Sequence, residues 1–269
     1  MFGASPTMSG GCADGDVAPP SIDSSLAMKS LPFVLSLIAG SVDIIGFLGL
    51  DGLFTAHITG NLVVLAARIV AGARAPVSYI ISVPVFIVAV VLARLLVACL
   101  ERFGVGSLGP LLLLQFLLLS AFLAISVAGG PRIDPHAAGM IFAGMLGVSA
   151  MAVQNALVRI SLAGAPATAV ATTNTVVLSM EVGTLMLSRD RNSRAEARAR
   201  VRQAWPAIAG FLLGCIMGGT AEAMIGLRSL ALPVTLALLA LVLGIAGSPR
   251  RPNLQHLSAR RDQHERRSH

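Results

Sequence analysis

Four side chains able to do chemistry sit where chemistry is costly. Asp43, His57, Thr59 and Asn61 lie in residues 40–65, inside two consecutive stretches that otherwise read as membrane-spanning. An ionisable or strongly polar group at membrane depth is expensive and marks a functional site by default. Asp43 lies seven residues before Leu50, about 10 Å along a helix from its end. A carboxylate there can hold a proton or a cation, or tie helices together. His57, three residues into the next stretch, can relay protons or bind a ligand as a neutral imidazole, or simply cap or pack a helix. No His, Cys or carboxylate stands four residues from it, so no metal site is expected. Thr59-Gly60-Asn61 places a small residue between two hydrogen-bonding ones, a pattern that lets helices approach and hold one another.

A second cluster echoes the first. Ala171-Thr172-Thr173-Asn174-Thr175-Val176-Val177-Leu178 aligns with Ile58 to Leu65, and Gln154-Asn155 precedes it as Asp43 precedes His57, with Asp43 opposite Asn155 after a one-residue insertion. One such cluster is commonly structural glue. Two at matching depth predict a shared substrate site made of Asp43, His57, Thr59, Asn61, Gln154, Asn155, Thr172, Thr173 and Asn174. Two ion pairs are expected beside it, Asp43 with Arg94 at similar depth, and Arg68 with Glu181, which align in the two halves.

The elements that must position these groups are apolar helices. The 269 residues are 55% hydrophobic and 12% charged, with a mean hydropathy of +0.80, against about 25% charge in ordinary soluble proteins. The reading is all-α, a polytopic transmembrane helical bundle of about eight spans, each near the roughly 20 residues a bilayer core requires. They fall at about 31–50, 54–73, 78–100, 108–128, 136–160, 168–188, 204–226 and 229–247. Residues 44–62 can form either two full spans or a broken hairpin. Residues 1–30 read as a disordered cytoplasmic segment without the pattern of a cleaved signal peptide, 31–128 and 136–247 as two transmembrane repeats, and 248–269 as a basic cytoplasmic tail. With eight spans, sixteen basic residues fall on one side and three on the other. The positive-inside rule then places both termini in the cytoplasm.

The repeat rests on more than the asparagines. Pro84 pairs with Pro206, Pro110 with Pro233, and the single Tyr79 and single Trp205 precede the first of these pairs, where interfacial rings are expected. Four spans per half predict halves of the same orientation. Gly210, Gly214 and Gly218 give one helix face almost without side chains, suited to packing within the bundle or to a homo-oligomer contact. The arginine-rich loop 188–203 and tail 250–267 suit topology anchoring or anionic lipid.

Several classes are excluded by spacing. Gly104-x-Gly106-x-x-Gly109 follows no strand and is no dinucleotide fingerprint. His264-Glu265 lacks the second histidine of a zinc protease, no Walker or nucleophile-elbow pattern occurs, and Cys12, Cys99 and Cys215 have neither metal-ligand nor disulfide spacing. No cofactor, metal, nucleic-acid partner or enzymatic activity is expected. The partners expected are the lipid bilayer and a small solute.

The run Gly40-x-x-Asp43-x-x-Gly46-Phe47-Leu48, continuing to Ala56-His57-Ile58-Thr59-Gly60-Asn61, resembles the signature of the YoaK family. Met151-Ala-Val-Gln154-Asn155-Ala-Leu-Val-Arg159 and Gly210-Phe211-Leu-Leu-Gly214 are similar to that family's later segments, while Thr172-Thr173-Asn174 stands where its usual pattern is Thr-Gly-Thr. The resemblance covers about residues 31–247. It implies a multi-pass protein of the bacterial inner membrane and no established activity. The residues favour a small-solute transporter, with Asp43 as the candidate for proton coupling. The alternative is a scaffold or sensor whose polar groups only stabilise helix packing.

Overall fold

A computed structural model describes residues 26–73, 76–130, 134–162, 168 and 171–247. The N-terminal segment up to residue 25, the basic tail from 248, Cys12, Arg74 and Arg132 lie outside the described residues. Among the described residues the chain is all-α: α1 (Leu26–Gly49), α2 (Ile58–Val70), α3 (Val77–Arg102), α4 (Leu108–Ala128), α5 (Ala138–Ser161), α6 (Ala171–Leu187), α7 (Arg191–Ile225) and α8 (Ala231–Gly247), with a short 3-10 turn, Gly226–Leu230, before α8. Runs this apolar satisfy their backbone groups internally, which makes helix the economical conformation. Pro110 and Pro233 sit in the first turns of α4 and α8, where the missing N–H costs nothing. Pro84 and Pro206 lie inside α3 and α7, whose helices begin well before them. The expected loop at 188–203 is therefore mostly the first turns of α7, started by Asp190, whose side chain accepts from Ser193 N at 2.8 Å.

Five stretches are long and apolar enough to cross a membrane: 28–49, 77–102, 108–128, 138–161 and 191–247, the last containing both α7 and α8. Among the described residues these stretches do not confirm eight full crossings. α2 has 13 residues and spans about 20 Å, too short for a core about 30 Å thick.

The path of α2 explains why. α1 ends in a tight turn in which Gly52 N donates to Phe47 O at 2.8 Å, with Asp51 at φ 54° and Gly52 at φ 89°. Asp tolerates the left-handed region better than most residues, and Gly pays no penalty there. The chain then doubles back along α1 until Thr55 and Ala56 meet Asp43. From there α2 returns to where α1 ended, because Arg68 near its end pairs with Asp51 at 2.9 Å. The start of α3 joins them through Tyr79, whose hydroxyl donates to Asp51 O, and the residues before α5 through His136, 3.6 Å from Asp51. This is the Asp51 end of the bundle. At the other end Ser107 and Ser161, flanking α4 and closing α5, share a hydrogen bond of 2.8 Å. α5 accordingly runs opposite to α1: Gly144 lies beside Leu50 and Leu53, whereas Gln154 reaches back to Leu35. The expected common orientation of the two halves is corrected by this reversal.

α1 packs on α7, α8 and α5, and α5 packs on α3 and α4; α2 lies on α3, α6 on α7, and α4 on α8. The α1–α7 contact is the closest. A Cβ on Gly40 would collide with Phe211 O, and one on Gly214 with Leu37 O. Gly210, Gly214 and Gly218 are all buried against α1. Their stripe is consumed inside the bundle, so it does not form the homo-oligomer contact.

Candidate functional site

The turn at Asp51 and Gly52 returns the segment 53–57 to the flank of α1, and this brings donors to a carboxylate 4% exposed. Asp43 Oδ1 accepts from Thr55 N at 2.8 Å, Ala56 N at 2.7 Å and Thr55 Oγ1 at 3.3 Å. Its Oδ2 lies 2.7 Å from His57 Nδ1. Both oxygens of the carboxylate are thus occupied by groups of the same chain. The carboxylate orients the ring so that Nδ1 carries hydrogen toward Asp43, leaving Nε2 as the nitrogen available to another molecule. His57 is also the residue that opens α2, which starts with no side-chain cap.

His57 faces a cleft of about 540 Å³ between α1, the returning segment, α2 and α7, lined by Asp43, Phe47, Phe54, Thr59, Phe211 and Cys215 among others. Three aromatic rings shape it. Phe47 and Phe54 stack at 4.8 Å between centroids, and Phe211 meets the His57 ring edge-on at 5.3 Å. The polar groups on this wall are few, so a bound molecule would meet mostly hydrocarbon and one imidazole nitrogen. The site has the make-up of a small-molecule pocket.

A second network holds the returning segment in place. The buried Asn61 amide accepts from Phe54 N and donates to Phe54 O, both at 2.8 Å, and donates to Ser82 Oγ on α3 at 3.0 Å. Ser82 in turn donates to Tyr79 O. Arg68 grips both Asp51 oxygens and stacks 5.4 Å from the Tyr79 ring centroid. Tyr79 is buried within the bundle, while Trp205 is more than half exposed.

The other half has its own buried cluster. Gln154 Oε1 accepts from Gln115 Nε2 at 2.7 Å, and Gln154 Nε2 donates to Leu35 O at 2.9 Å and Thr168 Oγ1 at 3.1 Å. Thr168 stands 113 residues after Thr55, the offset that separates Asn61 and Asn174. Gln154 thus meets Thr168 as Asp43 meets Thr55. Asn155, the expected counterpart of Asp43, instead donates to Met151 O in its own helix at 2.9 Å.

Of the nine expected site residues, the structure brings Asp43, His57 and Thr59 to the cleft wall, with Asn61 behind them. Gln154 is in the separate cluster. Asn174 is buried on α6, and Thr172 and Thr173 are exposed there, away from the cleft lining. Both expected ion pairs are corrected. Arg94 is exposed and its nearest carboxylate is Glu101 at 3.9 Å, while Arg68 holds Asp51 and Glu181 holds Arg200. Phe47, Phe54, Phe211 and Cys215 went unread as lining residues; the signal was Phe47 and Phe54 bracketing the turn between the two polar groups. Among the described residues no three His, Cys, Asp or Glu side chains gather.

The fold and site define a helical protein with several membrane-length helices and a polar-based aromatic cleft. The family model described as a protein of unknown function, DUF1275, matches residues 31–243, and the chain belongs to that family. No curated protein and no solved structure matches it.

Proposed function

We propose that the protein is a proton-linked carrier of a small solute in the bacterial inner membrane, the setting implied by its YoaK-like motifs. The observation that carries this reading is the Asp43–His57 pair at the base of a cleft built jointly by α1 and α2 of one half and α7 of the other. An ionisable pair at that position is a proton site by its cost alone.

The packing supports a carrier architecture. Exchanging α1–α4 with α5–α8 turns each helix contact into another that is also present: α1–α7 into α5–α3, α1–α8 into α5–α4, α2–α3 into α6–α7, while α4–α8 and α1–α5 map onto themselves. With α1 and α5 opposed in direction, the reading is an inverted repeat of three crossing helices plus one half-helix per unit, a plan in which substrate sites form at the repeat interface. Six crossings keep both termini on one side. The described basic residues Lys29, Arg102, Arg159 and those of 189–202 fall at the Ser107 end, and Arg68 and Arg228 at the other. The Ser107 end is then cytoplasmic.

Single cysteines at Ala73 and Val105, in a background without native cysteines, test this plan. The first is expected to label from outside the cell and the second only from inside; eight crossings give the reverse. Activity is tested in proteoliposomes by following proton movement while pools of metabolites are added. Solute-dependent proton flux that Asp43→Asn abolishes supports the carrier, and its absence with folded, oriented protein ends it. One observation favours a scaffold or sensor instead: Asp43 is fully occupied by donors of its own chain. On that reading Asp43→Asn weakens folding and changes no flux.

A further inference from the structure

The charge of the cleft says what it takes. Its walls contain one acidic residue, Asp43, and no lysine or arginine. Among the described residues the other titratable groups on it are His57 itself and the Cys215 thiol from α7, which donates to Gly40 O at 3.5 Å. With His57 neutral the cleft carries one uncompensated negative charge, and with His57 protonated it carries none. The start of α2 would by itself favour an anion, but the backbone N–H groups just before it, on Thr55 and Ala56, already face Asp43. That positive end is answered by the protein's own carboxylate. What remains is a single negative charge behind an imidazole acceptor and the rings of Phe47, Phe54 and Phe211. Aromatic faces attract cations.

The volume of about 540 Å³ falls within the roughly 300–1,000 Å³ usual for small organic ligands. Val63, on the rim, is 70% exposed and Phe47 36%, so the mouth of the cleft is itself apolar. A strongly hydrated metal ion or sugar finds few ligands there. A molecule with hydrocarbon bulk and one positive charge finds both of its needs met.

We propose that the cleft binds a compact lipophilic monocation, an arylalkylammonium or quaternary ammonium ion, in exchange for the proton on His57. The inference rests on the carrier reading for its transport step, and on the cleft alone for its binding step. One negative charge can be neutralised by the proton or by the cation but not by both, so each expels the other. The proton leaves His57 for water when the cation enters, and returns when the cation departs.

The test uses purified full-length protein and three probes of similar size: benzyltrimethylammonium, phenylacetate and benzyl alcohol. Calorimetry is expected to show the cation binding at pH 8 and weakening toward pH 6, by up to about tenfold per pH unit where His57 takes its proton. A weakly buffered indicator should register close to one proton released per cation bound. His57→Gln is expected to bind the cation more weakly, with neither pH dependence nor proton release, while Asp43→Asn loses binding. Because Asp43→Asn can also unfold the protein, the His57→Gln result and the wild-type proton count decide the matter. Tighter binding of phenylacetate or benzyl alcohol, cation binding with no proton released, or no binding of the cation each overturns the proposal. Proteoliposomes then separate the two readings. Cation binding with proton release but no flux upholds the ligand class and sinks the carrier. Proton-linked flux of phenylacetate or benzyl alcohol upholds the carrier and sinks the ligand class.

Discussion

Two buried polar clusters, one around Asp43 of α1 and one around Gln154 of α5, are built from different chemistry. In the first, a carboxylate takes two backbone N–H groups, a threonine hydroxyl and an imidazole, beside an open aromatic cleft. In the second, a glutamine joins another glutamine, a backbone carbonyl and a threonine hydroxyl, all buried. An amide both donates and accepts but cannot change its charge near neutral pH. The neutral half can therefore brace the bundle, whereas the charged half can also respond to protons. One ionisable cluster is enough to make a site, and the other is free to specialise in rigidity.

The sharpest way to break that contrast is Asp43→Ala. It strands two backbone donors and the histidine beside the cleft. Removing one partner of a buried, hydrogen-bonded pair costs about 3–5 kcal/mol, and thermal unfolding in detergent should show a loss of that order. Asp43→Asn keeps an acceptor for Thr55 and Ala56 and should lose less. Equal losses in the two variants would mean that charge, not hydrogen bonding, holds the segment.

Gln154→Ala is the matching cut in the other half. It leaves the Gln115 amide and Thr168 without this partner, and a buried polar group so stranded costs about 1–3 kcal/mol. The loss should be the same at pH 6 and pH 8, since no charge is involved. A loss that varies with pH would show that the second cluster couples to the first. The neutral character of this half would then be the wrong description.

How far the sequence carried the reading depends on direction more than on composition. Each of the eight described helices overlaps one of the apolar runs, though α7 begins well before its run, because hydropathy reports helices well. What hydropathy does not report is whether a helix crosses. Leu62 to Val70 is as apolar as a true span, yet α2 turns back, and the cause is local: Asp51 and Gly52 form a left-handed turn, and Asp43 captures the returning backbone. A helix that turns back reverses the direction of the helices that follow it, and with it the depth estimates along α3. Asp43 and Arg94 match in depth only if α3 ends where α1 ends; in the structure α3 begins there, at Tyr79, and Arg94 lies toward the opposite end. Arg68 and Glu181 failed for the same reason. The chemical importance of Asp43, His57 and Asn61 was legible because polarity in an apolar run is a local signal. The aromatic walls were not, since a phenylalanine among leucines carries no mark until the backbone brings it to a cleft.

The smallest expected effect is the most exacting check on which residue of the second half answers Asp43. Aligning the two halves with one insertion sets Asn155 against Asp43, whereas the structure gives that role to Gln154, one position earlier. On a helix, adjacent residues point about 100° apart, so the two assignments send the side chain to different neighbours. Asn155 is half-buried and its amide bonds only to Met151 O, one turn back in α5, a local bond that holds no other element. Asn155→Ala should therefore change stability by no more than about 0.5 kcal/mol, as for substitutions away from buried networks. It should leave proton release and cation binding untouched. A loss as large as that from Gln154→Ala, or any change in the proton count, would restore Asn155 as the counterpart of Asp43. The equivalence of Thr55 with Thr168 would then fall, because the two threonines would no longer be held by residues of matching position.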